Sequence, residues 1–359
     1  MIYTVTAISL FLLSIVLWRV GSPHKTKVAL ILALIWLTLH DGLRWEIGTD
    51  WDHYYDFFLN LENEHMGFTY GLFNQLTKSI FDSYTFFLLC FAGLSYLIIG
   101  KLLYTYSPNP LVSICVYYCG TMGIMGSNRQ LLAMVFCIMS LWFVVRRKKW
   151  LFIGTILFAT TIHVTAFSFI LAYFLYNIKY TNRTVLIVVF GAFIIGLLQL
   201  VNKIPFVEYL ALIDSATSNT GLESYVSGDK AAGVSIVGSF KRIFYVYLAL
   251  MARKYVNSRE YDFFLSLFIV GCCIYLTFNG SVVQIAAGRG ASYYAVYECI
   301  VIAYVIMKFP ASFFARECLW LILFLIYFFL MWRDMNSYFD LSGIDIYNPY
   351  KSVLFENSI

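Results

Sequence analysis

The chain has 359 residues, of which 61% are hydrophobic and only 13% are charged, and its mean hydropathy is +0.75. These values exclude an ordinary soluble domain and indicate an integral membrane protein. The formal net charge of +5 does not indicate nucleic-acid binding, because the basic residues are scattered singly or lie beside helix ends, where membrane topology explains them.

The apolar runs predict an all-α, polytopic fold in which residues 1–359 form a single membrane domain. We predict about twelve transmembrane helices, within a range of roughly 11–14, because runs of roughly 18 or more apolar residues, long enough to cross about 30 Å of hydrocarbon, recur along the chain. Their predicted bounds are 3–20, 28–44, 83–105, 111–126, 129–145, 150–162, 163–178, 184–201, 236–252, 261–283, 290–307 and 317–333. The stretch 150–178 is long for one span and short for two. Basic residues at both ends of 150–178 favour a hairpin with its tip at residues 161–163.

The predicted connections differ in charge on the two sides of the membrane. One set is rich in basic residues, among them the run 146–149, and the positive-inside rule makes that side cytoplasmic. The segments 45–82 and 202–235 and the tail 334–359 are then external. We expect interfacial helices in the first segment and a lid or mobile loop in the second.

The polar stretch DGLRWEIGTDWDHYYDFF, residues 41–58, follows the second predicted span. It places acidic side chains among aromatic ones, and stacking aromatics beside hydrogen-bonding carboxylates are typical of a sugar-binding surface. The substrate-binding residues predicted from this stretch are Asp41, Glu46, Trp51, Tyr54 and Tyr55.

Several basic residues lie at external ends of predicted spans, against the positive-inside trend. For Lys241 and Arg333 we favour interfacial anchors, since such side chains reach the membrane surface at little cost. The others favour an anion site, because guanidinium groups match phosphate oxygens in pairs and neighbouring glycines admit a phosphate to the backbone. The arginines of this predicted site are Arg44, Arg129 and Arg289, with Arg242 as a further candidate.

Four titratable residues are candidates for proton transfer. His163 is either a packed core residue or, at the hairpin tip, a base that accepts a proton from a sugar hydroxyl. Asp50 and Asp41 are competing bases. Glu298 lies within a predicted span, where an unpaired charge is costly, so it is either the buried partner of an arginine or itself a proton-relay group.

No metal site or cofactor is predicted. All eight cysteines fall inside apolar runs, and the sequence has no Walker loop, GxGxxG, HExxH or GxSxG motif.

The run LRWEIGTDWDHYYDFF, residues 43–58, resembles the pattern R-x-x-x-G-T-D-aromatic-x-x-Y of the EpsG family, membrane proteins of bacterial polysaccharide synthesis that belong to the Wzy-type polymerases. Three later runs resemble further family motifs in the same order: SNRQLLAMVFCIMSL (127–141), TTIHVTAF (160–167) and GRGASYYAVY (288–297). Where Trp45 and Glu46 stand, the family often has a smaller or aliphatic residue, so we expect Glu46 to suit this protein's own sugar.

The resemblance implies a glycosyltransferase related to the GT-C superfamily. Such an enzyme joins oligosaccharide repeat units carried on undecaprenyl diphosphate, at the periplasmic face of the bacterial cytoplasmic membrane. The arginines would then bind the diphosphate, and His163 or Asp50 would act as the base. Expected partners are the lipid-linked oligosaccharides, membrane lipid, a chain-length regulator and a flippase.

Other functions remain open at this point. An O-antigen ligase or another GT-C transferase poses the same leaving-group problem and would differ in its product, a single addition instead of a ladder of lengths. A flippase for lipid-linked oligosaccharides would need cations throughout the depth of the membrane, whereas here they gather on one side.

Overall fold

A computed structural model of the protein describes residues 1–61, 66–204, 234–281, 283–343 and 345–355, except for the side chains of 338–342. Within these ranges the chain is helical, without strands. The α-helices are α1 Ile2–Val20, α2 Pro23–Gly42, α3 Trp51–Leu59, α4 Phe68–Ile80, α5 Tyr84–Tyr106, α6 Pro110–Thr121, α7 Asn128–Val145, α8 Lys149–Ile162, α9 Ala172–Leu175, α10 Asn182–Leu197, α11 Ile236–Arg253, α12 Arg259–Phe278, α13 Gln284–Ala295, α14 Glu298–Lys308 and α15 Phe313–Ser342. Short 3₁₀ helices cover Met122–Ile124, Val164–Leu171 and Leu200–Lys203.

The local sequence explains where several of these helices begin. Ser83 precedes α5, and its hydroxyl accepts the backbone N–H of Phe86. Asn109 precedes α6, and its side-chain oxygen accepts two backbone N–H groups of the first turn, which begins with Pro110. Such caps satisfy donors that would otherwise lack a partner, and proline suits the first position of a helix.

Five helices are long and apolar enough to cross a membrane: α1, α5, α7, α12 and the part of α15 from Phe313 to Ser337. Helices α13 and α14 are bent by 45° and pass the same test only together. The all-α membrane class is therefore confirmed, whereas the number of about twelve spans is not.

Polar breaks shorten several of the predicted spans. The span predicted over 150–162 is the 14-residue helix α8, which is about 21 Å long and ends where the turn at residues 161–163 was predicted. The span predicted over 184–201 ends at Leu197, before Gln199 with a φ of 48°.

Helices α6 and α14 form the centre of the molecule, and most of their side chains are buried. Helices α1, α14 and α15 pack around α6, while α2 packs on α5 and α8 on α7. Helix α12 lies against both α10 and α13. This packing places the N-terminal end of α7 among the elements that carry the sequence motifs.

The segment predicted to be external at 45–82 contains α3 and α4. Most of the second predicted segment, 202–235, lies outside the described residues.

The C-terminal tail is packed, not extended. Helix α15 continues beyond its predicted end at residue 333, and residues 345–355 return to the end of α2. The backbone N–H of Trp45 donates to the carbonyl of Lys351 over 3.1 Å, and that of Gly48 donates to Ile346 over 3.0 Å. The C-terminal tail therefore packs against the first motif.

Candidate functional site

The turn before α3 and the turn before α7 lie in direct backbone contact. The N–H of Thr49 donates to the carbonyl of Met125 over 2.9 Å. Gly48 and Gly126 have φ values of 103° and 102°, and a Cβ atom on Gly126 would lie 2.3 Å from the Thr49 oxygen. Only glycine tolerates such a backbone and so close an approach. The contact brings Asp50, before α3, to the N-terminal end of α7.

Arg44 is buried, with 2% of its surface exposed. Its guanidinium donates to the Asp41 carbonyl over 2.7 Å and to the Asn128 side-chain oxygen over 2.9 Å. The Asp41 carboxylate in turn accepts the Tyr96 hydroxyl over 2.6 Å and lies 2.8 Å from Nδ1 of His40. The cavity beside Asp41 and Arg44 measures about 30 Å³, room for about one water molecule. Arg44 therefore joins α2 to α7 from inside the protein.

Arg129 lies in the first turn of α7 and is partly exposed. Its Nε donates to the carbonyl of Ile162 over 3.3 Å, and its Nη1 lies 3.8 Å from the sulfur of Met66. No carboxylate among the described residues forms an ion pair with it. The guanidinium is thus held beside His163, the residue after Ile162, with its charge available to an anion.

Arg289 is brought to the same place by α13. The side-chain nitrogen of Gln130, the residue after Arg129, lies 3.4 Å from the Arg289 carbonyl and 2.7 Å from the Ser292 hydroxyl. The Ser168 hydroxyl lies 3.4 Å from the carbonyl of Gly290, which ties α13 to the segment after His163. Motifs that are far apart in the sequence therefore converge.

His163 lies at the break between α8 and the following 3₁₀ helix, in an extended conformation. Its Nδ1 is 2.7 Å from the Thr165 hydroxyl, which is 3.2 Å from the hydroxyl of Tyr293. Burial, together with the charges of Arg129 and Arg289, lowers the pKa of His163 to about 4. The imidazole is therefore neutral at physiological pH.

Thr165 and Tyr293 were not predicted as site residues. Both lie inside motifs that the sequence marked, two residues after the histidine and four after the late arginine. Polar side chains at those offsets were the available signal.

The aromatic residues of the first motif form packing rather than an open platform. Trp51 and Tyr54 each expose 7% of their surface. Trp51 meets the ring of Tyr84 edge-on at 5.1 Å, and the half-buried Tyr55 meets the same ring at 5.3 Å. Burial raises the pKa of Tyr54 to about 12, against the opposing charge of Arg129. These rings therefore pack in the core and help to hold the end of the site formed by α7.

The two acids predicted beside these rings lie at the surface. Asp50 has a φ of 58°, is exposed, and its carboxylate caps no backbone N–H of α3. Glu46 also has a positive φ, 50°, and forms an ion pair of 2.5 Å with Lys351 of the returning tail.

Arg242 lies in a neighbouring polar cavity of about 170 Å³. Its Nη1 donates to the Gly238 carbonyl over 2.9 Å, and its guanidinium stacks 3.2 Å from the centre of the Tyr275 ring. The charged residues that line this cavity are Lys241, Arg242, Glu298 and Asp334. Ser292 also lines it, which places the cavity next to the Arg129 site.

The partner of Glu298 is a tyrosine. The Tyr327 hydroxyl donates to the Glu298 carboxylate at the beginning of α14. We expected an arginine or a proton relay for this residue, and the hydroxyl explains how the acid is accommodated.

The four motif runs are therefore parts of one structural unit around the N-terminal end of α7. A sequence model of the EpsG family matches residues 27–352 and includes every one of these runs. The chain belongs to the EpsG family. No curated protein matches the chain, and neither does any solved structure.

Membership of the EpsG family suggests a membrane protein of polysaccharide biosynthesis with polymerase-like character. Across the described ranges, no three His, Cys, Asp or Glu side chains are grouped so as to hold a metal ion. In this EpsG protein, the charges of Arg129 and Arg289 both act on His163.

Proposed function

We propose that the protein is a Wzy-type polymerase that joins oligosaccharide repeat units carried on undecaprenyl diphosphate. The observation that carries this proposal is that the charges of Arg129 and Arg289 both act on a neutral His163, with Arg129 bonded to the residue before it. The reaction needs cations for a departing diphosphate and a base for an attacking hydroxyl, and these residues supply both.

In the proposed step, a hydroxyl of the incoming unit attacks the anomeric carbon of the growing chain. The bond from that carbon to the diphosphate breaks, and its electron pair leaves with the diphosphate oxygen toward Arg129 and Arg289. The hydroxyl proton passes to Nε2 of His163. When Nδ1–H donates to Thr165, which lies 2.7 Å away, the Nε2 lone pair is free to accept that proton.

The other predicted site residues take different parts in this proposal. Arg44 positions the end of α7 through Asn128. Arg242 contributes positive charge from the adjoining cavity. Asp50 is exposed in the turn before α3 and is the alternative to His163 as the base.

We further propose a GT-C-like protein of about twelve spans in the bacterial cytoplasmic membrane, with this site facing the periplasm. The basic run 146–149 supports this orientation, because it follows α7 at the end opposite Arg129. The two ends of this 18-residue helix are about 27 Å apart, nearly the thickness of the hydrocarbon core. A flippase that supplies the lipid-linked units and a chain-length regulator are the proposed partners.

The test of the reaction uses the purified full chain and a defined repeat unit on undecaprenyl diphosphate. A ladder of glycan lengths supports a polymerase. A single addition to a different acceptor indicates a ligase or another transferase, and transport across vesicles without any new glycosidic bond indicates a flippase.

The test of sidedness uses a membrane-impermeant maleimide on intact spheroplasts. A cysteine at exposed Asp52 is expected to react, whereas one at exposed Lys179 is expected to react only after the membrane is opened. The unaltered chain, with its eight native cysteines, gives the background. The reverse pattern would overturn the orientation.

A further inference from the structure

An apolar groove of about 600 Å³ runs between α11 and α15 on the outside of the helix bundle. Both helices pack on α14, and the space between them stays open to the surroundings. The apolar side chains that line the groove are Ile236, Val237, Phe240, Phe244, Leu325, Ile326, Phe329 and Leu330. Phe240 and Phe329 expose 62% and 65% of their surface.

Lys241 belongs to this groove and also to the polar cavity that holds Arg242. Its Nζ lies 5.8 Å from the ring centre of Tyr245 and 5.6 Å from that of Tyr327, and these two rings stack on each other. Among the residues that the structure describes, neither Lys241 nor Arg242 forms an ion pair. The groove is therefore apolar along its length and cationic at its inner end.

We propose that this groove binds the isoprenoid chain of a polyisoprenyl diphosphate, with the diphosphate directed to Lys241 and Arg242. The assignment rests on the proposed function, because that function requires a substrate whose head lies inside the protein and whose chain stays in lipid. Ammonium and guanidinium groups suit a diphosphate, and the apolar walls suit a long hydrocarbon.

Two further observations favour this occupant over bulk phospholipid. Lys241 lines both the groove and the neighbouring cavity, so the head group of a lipid in the groove would lie beside the cations of that cavity. Ser292 in the cavity wall accepts a hydrogen bond from Gln130, beside Arg129. The exposed apolar face of α10, with Phe190 at 60% exposure, carries no charged residue between Thr184 and Leu197 and serves as the matched surface for comparison.

The first experiment replaces Phe240 with the photoreactive p-benzoylphenylalanine in the full chain, with the same replacement at Phe190 as control. The probe is undecaprenyl diphosphate in bilayers of phosphatidylglycerol. Light is expected to attach the isoprenoid at position 240 and not at 190, and excess unlabelled undecaprenyl diphosphate is expected to displace it. Equal labelling at both positions, or attachment of phosphatidylglycerol alone at 240, would overturn the assignment.

The second experiment fills the groove with Val237→Trp and compares it with Ile187→Trp on α10, since both parent side chains are 63% exposed. Kd is measured for undecaprenyl diphosphate and for geranyl diphosphate, which has the same head and a short chain. Val237→Trp is expected to weaken the long-chain lipid about tenfold, the equivalent of roughly two buried methylene groups, and to leave the short-chain one within about twofold. Equal losses for both lipids, or none for either, would contradict the proposal.

The outcomes separate this inference from the proposed function. Binding that depends on the length of the lipid chain, without a glycan ladder, would support the isoprenoid groove and contradict the polymerase function. If the Val237→Trp variant makes a glycan ladder and its Kd for the long-chain lipid is unchanged, the polymerase function is supported and the isoprenoid groove is contradicted.

Discussion

Arg44 and Arg129 were both predicted from the sequence to bind a diphosphate, yet the structure uses them differently. Arg44 is enclosed, and the acceptors for its guanidinium come from the protein itself, at Asp41 and Asn128. Arg129 is partly exposed, and within the described part of the chain its guanidinium contacts the Ile162 carbonyl and the Met66 sulfur. The acceptors around an arginine thus decide whether it serves folding or substrate binding. We therefore expect substitution of Arg44 to lower stability and substitution of Arg129 to lower activity.

The largest effect is expected at the enclosed arginine. Arg44→Ala removes two hydrogen bonds from a buried cation and leaves Asn128 without its donor, so we expect the free energy of unfolding to fall by about 3 kcal/mol. Denaturation in detergent measures it. Arg183→Ala, at an exposed position of α10, is the control, and wild-type stability of Arg44→Ala would show that Arg44 is not structural.

At the open site, the expected loss is catalytic. Arg129→Ala removes a cation from the departing diphosphate, so polymerisation is expected to fall about a hundredfold, with the midpoint of unfolding little changed. Arg289→Ala is expected to act alike. Single-turnover rates with a defined lipid-linked unit measure the effect. Polymer of wild-type length and amount from either variant would show that the substituted arginine is not part of the site.

The pH dependence tests the base. His163 must be neutral to accept a proton, so activity is lost as the pH falls through its pKa. Bound diphosphate offsets the charges of Arg129 and Arg289 that help to lower this pKa to about 4, and raises it toward the ordinary value near 6.5. The acidic limb of kcat/KM, which reports the free enzyme, is therefore expected at lower pH than the limb of kcat.

Two variants make this pH test decisive. His163→Gln is expected to lose turnover and to retain binding of the lipid diphosphate. Coincident limbs in the native protein, or the same loss of turnover from Asp50→Ala alone, would transfer the role of base to Asp50.

The smallest effect is expected at Thr165. Thr165→Val keeps the shape of the side chain and removes the hydroxyl 2.7 Å from Nδ1 of His163, so turnover is expected to fall about fivefold, the equivalent of about 1 kcal/mol. Thr155→Val is the matched control, because that hydroxyl bonds to the Leu151 carbonyl of its own helix. Equal rates for the two variants would separate Thr165 from the site.

The helical class, the family and the break at His163 could be predicted from the sequence, because hydropathy and motifs can be read along the chain without knowledge of its packing. The burial of Arg44 could not be predicted, since it depends on Asn128, 84 residues further along the chain. The partner of Glu298 was missed for the same reason, because Tyr327 reaches it from another helix.

The number of spans is not confirmed, for a different physical cause. A hydropathy pattern shows where side chains are apolar, but the helices end where the backbone turns, as at Gln199. The aromatic residues of the first motif show a third limit, since the pattern gives their chemistry and not the packing that encloses Trp51 and Tyr54.

The returning tail has a consequence for the order of assembly in the cell. The backbone N–H groups of Trp45 and Gly48 donate to carbonyls of Lys351 and Ile346, which the ribosome adds some 300 residues later. The signature turn is thus completed only after these later residues have been synthesised. A stop codon shortly before residue 346 would leave a protein that has all four motifs but lacks the tail carbonyls that accept hydrogen bonds from the first motif.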